Sequence, residues 1–93
     1  MLTIQNLDKI INTHPTTYKW NINDAFEYND LYVFDILNNN LETTFYLNRE
    51  SQYMSGRNEP VYRLYKDFDQ RWLSLHQISP YFIKELIDKM LNE

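Results

Sequence analysis

His14 and His76 are the two imidazoles that could act as bases in this chain, and Asp67 and Asp69 are a carboxylate pair flanking Phe68. His76 follows Ser74 by two residues, a spacing that would set a base beside a hydroxyl on one strand face. Nothing else supports activation of that hydroxyl: no G-x-S-x-G elbow, H-E-x-x-H or P-loop occurs. His76 therefore reads as a solvated strand histidine, and His14, just before Pro15, as a helix terminator. Asp67 and Asp69 read as turn residues, because an Asp side chain bonds to nearby backbone amides. The ligand series of a calcium loop is missing. No cysteine is present, so thiolate metal sites and disulfides are excluded. One glycine, Gly56, cannot build a glycine-rich phosphate cradle. The chain is read as a non-enzyme with no cofactor and no metal.

The elements that carry these residues follow from periodicity. Ile4, Leu7, Ile10 and Ile11 recur at helical spacing and predict an N-terminal helix capped by Thr3. Tyr18, Trp20 and Ile22 alternate as in a strand, and Asn23-Asp24 and Asn29-Asp30 read as turns, leaving residues 25–28 too short to assign. Leu31 to Leu37 reads as a central strand, and Asn38-Asn39-Asn40 as a hairpin loop before the alternating run Leu41 to Leu47. Residues 48–60 are polar and read as the longest loop, with a short helix over Glu50 to Met54 as the alternative. Val61 to Lys66 and Arg71 to His76 form a second predicted hairpin around a turn at residues 67–70. Pairing Lys66 with Arg71 sets Leu64 opposite Leu73, Tyr62 opposite Leu75 and Tyr65 opposite Trp72.

Ser79-Pro80 predicts a helix start, with Ser as N-cap and Pro at the first helical position. Phe82, Ile83, Leu86, Ile87, Met90 and Leu91 form its apolar stripe, Ile78 and Ile83 a hydrophobic staple, and Glu85 and Lys89 an i,i+4 pair. The expected fold is α+β: an antiparallel sheet of four to five strands in hairpins, with an N-terminal and a C-terminal helix packed on one face. One domain over residues 1–93 is the expectation at this length. No apolar run approaches 18 residues, and the first residues lack a basic stretch followed by an apolar one, so a cytoplasmic location is expected.

Charge is distributed unevenly. The net charge is −4, yet residues 20–48 hold Asp24, Glu27, Asp30, Asp35 and Glu42 and no Lys or Arg. That segment carries −5 and the rest of the chain +1. Carboxylates of this kind either solubilise turns and strand edges or form a negative patch that steers a basic partner. The second hairpin adds a different surface. Opposite its apolar face lie Val61, Arg63, Tyr65, Trp72 and His76, with Tyr46 extending the set from the first hairpin. Tyr, Trp and Arg are the residues enriched in binding hot spots. Either this face is a partner site, or residues 48–60 fold over it as a second small core. Stacking on single-stranded nucleic acid is disfavoured by the acidic segment.

A folded protein of 11.4 kDa exposes roughly 5,800 Å². A standard interface takes about 800 Å² from each partner, close to a seventh of that surface. Asn, Ile, Lys, Tyr and Phe make up 37 residues against 9 for Gly, Ala, Arg and Pro, which points to an AT-rich bacterial or phage gene. In composition the chain resembles the small acidic inhibitors of phages and mobile elements, such as anti-CRISPR and anti-restriction proteins, although no motif carries the likeness. The functional expectation is a protein-binding inhibitor that occludes a basic nucleic-acid-binding surface on a nucleic-acid-handling partner. Its binding residues would be Asp24, Glu27, Asp30, Asp35, Glu42, Tyr46, Arg63, Tyr65 and Trp72. No direct nucleic-acid contact and no membrane are expected, and the protein would act as a monomer or homodimer in the bacterial host cell. A toxin-neutralising immunity or antitoxin protein is the alternative.

Overall fold

A computed structural model describes residues 9, 11–13 and 18–92, the Met54 side chain excepted. Five strands lie in sequence order in one antiparallel sheet: β1 (Asn21–Tyr28), β2 (Leu31–Asn38), β3 (Leu41–Met54), β4 (Arg57–Lys66) and β5 (Asp69–Ser74). A 3-10 turn, Leu75–Gln77, leads to the C-terminal helix Pro80–Leu91. Every strand connection is two residues long, and each uses positive φ: Asn29 at 54°, Asn39 and Asn40 at 53° and 66°, Ser55 and Gly56 at 53° and 82°, and Asp67 at 50°. Asn, Asp and Gly enter that region at low cost, and paired positive φ values match the twist of the flanking strands. The meander is thus written into its turns.

Three sequence expectations change here. Residues 48–60 are neither a loop nor a helix, because β3 and β4 stay paired out to Met54 and Arg57. The Ser55-Gly56 turn permits this, and a two-stranded ribbon in water tolerates polar side chains on both faces. Pro60, opposite Ser51, sits where β4 has no second neighbour, since β5 pairs only with Val61 to Lys66. The ribbon accounts for an elongated molecule of 46 × 26 × 23 Å. It does not fold over the sheet.

The second change concerns register. Lys66 pairs with Asp69, so Leu64 faces Arg71, Tyr62 faces Leu73 and Arg63 faces Trp72. The tighter turn at Asp67-Phe68 shifts β5 by two residues. A two-residue slip keeps every side chain on its predicted face and changes only its neighbours. It also removes the Lys66–Arg71 repulsion and lets Arg71 pair with Asp69 at 3.0 Å. Leu75 and His76 consequently leave the strand for the 3-10 turn, and both are exposed. Ser74 donates its hydroxyl to Gln77 Oε1 at 3.0 Å, so its partner is not His76. The third change is in β1, where Asn23-Asp24 is no turn. The register shifts between Ile22 and Asp24, and the strand continues through a bulge.

The core lies between one sheet face and the C-terminal helix. Phe34, Ile36, Phe45, Leu47, Leu64 and Leu73 meet Ile83, Ile87 and Met90, all essentially buried. Phe34 and Phe45 are directly opposed across β2 and β3, with their rings stacked at 5.9 Å. The helix begins as predicted: the Ser79 hydroxyl accepts from the Phe82 amide at 3.2 Å, and Pro80 occupies the first turn. Glu85 accepts a hydrogen bond from the Tyr18 hydroxyl. Trp20, stacked on Tyr18, donates its indole N–H to Asp88 Oδ1 at 2.9 Å. The Lys84 ammonium, buried beside Trp20, donates to the Ile11 carbonyl at 2.6 Å. Of the expected N-terminal helix, Lys9 and residues 11–13 are described and helical, and the rest lies outside the described residues. Ile11 belongs to the core, and Asn12 exchanges hydrogen bonds with the Ile22 amide and carbonyl. His14 also lies outside the described residues.

Two predictions arise from these contacts. A methyl group added at Gly56 would point into open space, since only the Tyr53 hydroxyl comes near, at 4.0 Å. Gly56→Ala therefore costs backbone strain alone, about 1 kcal/mol. Because the ribbon opens locally, hydrogen exchange of residues 51–59 should speed up while the melting temperature of the whole fold moves little.

The second concerns pH. A hydrogen bond to Glu85, with burial, pushes the Tyr18 phenol up from 10.0 to about 12. Burial, with Glu27 alongside, does the same for Tyr32. Both phenols are favoured neutral in the fold, so their contribution is complete below pH 10 and is lost as pH rises towards 12. Burial lowers the Lys84 pKa from 10.5, so its charged form costs stability and that cost fades as pH climbs to 10.5. Stability should consequently fall in the window above pH 10.5, and Tyr32→Phe should flatten that fall in urea titrations across pH.

Candidate protein-interaction face

The alternation that buries one sheet face presents the other. Its register sets Phe26, Val33, Tyr46, Tyr65 and Gln70 side by side across all five strands. The next row holds Tyr28, Leu31, Asn48, Arg63 and Trp72. No described element covers these rows. Phe26, Tyr28 and Trp72 remain 58%, 68% and 56% exposed. Open aromatic side chains grouped in this way make the face a candidate interaction surface.

At its centre Tyr46 and Tyr65 stack at 4.9 Å. The Arg63 guanidinium lies over the Tyr65 ring at 4.6 Å and near the Trp72 ring at 5.8 Å. Glu50 holds it at 3.1 Å, and its Nη1 donates to Gln70 Oε1 at 3.3 Å. A planar cation fixed between aromatic rings is preorganised, so little rotamer entropy remains to be lost when a partner covers it.

The five carboxylates of the acidic segment do not form one patch. Asp24 and Asp35 are directly opposed across β1 and β2 on the open face. Thr44 donates its hydroxyl to Asp35 at 2.7 Å, and Asp24 accepts from the Ala25 amide at 2.9 Å. Ion pairs form elsewhere, on Arg57, Arg63 and Arg71. Glu42, opposite Leu37, joins the same end of this face. Glu27 falls on the helix-covered side against the Tyr32 hydroxyl. Asp30 sits in the turn after β1, where its carbonyl accepts from the Arg49 amide at 2.9 Å, five residues or about 17 Å along β2 from Asp35.

The structure thus brings together Tyr46, Arg63, Tyr65 and Trp72, and separately Asp24, Asp35 and Glu42. It adds Phe26, Tyr28, Leu31, Val33 and Glu50, which sequence reasoning missed. The signal was present: Phe26 and Tyr28 alternate with Ala25 and Glu27, a strand pattern hidden by reading Asn23-Asp24 as a turn. Val61, expected on this face, is there but almost covered. A groove of about 500 Å³ runs beside the C-terminal helix, lined by Phe82, Glu85, Leu86, Asp88 and Lys89. Among the described residues, no group of three His, Asp or Glu side chains is placed to hold a metal ion, and no helix is long and apolar enough to cross a membrane. Comparison with family models, curated proteins and solved structures finds no match to this chain.

Proposed function

We propose that this chain is a stoichiometric protein-binding inhibitor that works by occlusion through its open sheet face. The observation that carries the reading is the two rows of aromatic side chains around Arg63, left without a covering layer. Trp72, Tyr65 and Tyr28 serve as anchors, the residue types on which binding energy concentrates. The Asp24, Asp35 and Glu42 end steers a basic surface on the partner, which on this reading handles nucleic acid.

The test is single charge reversal followed by partner affinity at two salt concentrations. Asp24→Lys should slow association and reduce its salt dependence, because that carboxylate shares the face with the anchors. Glu27→Lys and Asp30→Lys should leave both nearly unchanged. Equal effects at all three positions would sink the assignment to this face, and no effect at any would remove the steering role.

A further inference from the structure

We infer that two copies of this chain pack open face to open face, so that the missing layer over the sheet is a second subunit. The inference goes beyond the partner reading and does not rest on it. Sheets in stable domains bury their apolar face against another layer, and here only one face is so buried among the described residues. Area supports a copy as the occupant. Taking about 200 Å² per aromatic side chain, the exposed fractions of Phe26, Tyr28 and Trp72 come to about 360 Å². That is nearly half of the about 800 Å² that each side of a standard interface contributes. The half-buried Leu31, Val33, Tyr46 and Tyr65 and their polar neighbours supply the remainder.

Composition agrees. Within the five-stranded part of the sheet this face carries no lysine, and its one cation, Arg63, is countered by Glu50. Interfaces are depleted in lysine and enriched in Tyr, Trp and Arg relative to the rest of the surface. Charge selects the arrangement. Asp24 and Asp35 occupy one corner of the face, and Arg63 with Trp72 the corner diagonally opposite. A two-fold axis along the other diagonal keeps the acidic pair off its own copy and sets it over the net-neutral Arg63–Glu50 and Trp72 corner of the second subunit. Such an axis crosses the strands of the two sheets at near right angles, one of the two ordinary sheet packings. The dimer masks the same face that a target would use, so a target has to displace one copy.

Sedimentation equilibrium of the full chain between about 1 µM and about 1 mM tests this. The expected mass rises with concentration towards about 23 kDa, twice the 11.4 kDa of the chain. Phe26→Glu/Trp72→Glu should raise the dissociation constant at least about 30-fold with unchanged circular dichroism. Tyr81→Glu, on the exposed start of the helix, should not change it. Asp24→Asn/Asp35→Asn should leave the dimer nearly unchanged, because the two carboxylates lie over a net-neutral corner and not over each other. A mass of 11.4 kDa at every concentration overturns the inference, as does a dimer that survives the double Glu variant or is lost in Tyr81→Glu. Tighter association of the Asn variant overturns the diagonal axis.

Discussion

Phe45→Ala should be among the most destabilising single substitutions in this fold, at about 3–5 kcal/mol. Phe45 is fully buried on the central strand, opposed to Phe34 and beneath the helix. Truncation removes the stacked pair and leaves a cavity that two hydrogen-bonded neighbouring strands cannot close. A domain of this size has a total stability of roughly 5–15 kcal/mol, so a large share of it is lost. At about 4 °C or more per kcal/mol, the melting temperature should drop by at least about 12 °C. Differential scanning calorimetry of the variant beside the wild type measures this. A drop of only a few degrees would mean that Phe34 and Phe45 are not at the centre of the core.

Trp72→Glu should do the reverse, leaving the fold intact and abolishing binding. The side chain is 56% exposed and its contacts are with Arg63 on the open face, so the folded state loses little. Surface substitutions of this kind usually change stability by less than about 0.5 kcal/mol. A buried hot-spot tryptophan contributes about 2 kcal/mol or more to a complex, and a carboxylate in its place adds a desolvation cost. Affinity for the partner should therefore fall at least about 30-fold, while a melt run dilute enough to keep both proteins monomeric should move little from that of the wild type. Isothermal titration reads the affinity and the dilute melt reads the fold.

How much of this was legible in the sequence varies by element, for physical reasons. The C-terminal helix was readable because Ser79, Pro80 and the stripe from Phe82 to Leu91 are local signals that tertiary context did not override. The turns at Asn29-Asp30 and Asn39-Asn40 and the strand Leu31–Asn38 were readable for the same reason, whereas Asn23-Asp24 was not a turn. Residues 48–60 were misread because their polarity matches a loop, whereas a projecting ribbon needs no apolar face and is specified by Ser55-Gly56 alone. The β4–β5 register was misplaced by two because turn length at Asp67 is set by backbone conformation, which composition does not reveal. Faces survived that error, since side-chain direction repeats every two residues. Hence Tyr46, Arg63, Tyr65 and Trp72 could be grouped from spacing. The acidic segment behaved differently. Its charges are close in sequence, but a strand alternation, a bulge and a turn send Glu27 and Asp30 away from Asp24, Asp35 and Glu42. Clustering along the chain left open whether these charges share a face, and only three of the five do.

The uncovered sheet face is where we propose that the protein binds. Three tagged baits from the same host extract test this most directly: the wild type, Trp72→Glu and Tyr81→Glu, with captured proteins quantified by mass spectrometry. One stoichiometric partner should be retained by the wild type and by Tyr81→Glu and lost from Trp72→Glu. A partner held equally by Trp72→Glu and released by Tyr81→Glu would place binding on the helix side and contradict the proposal.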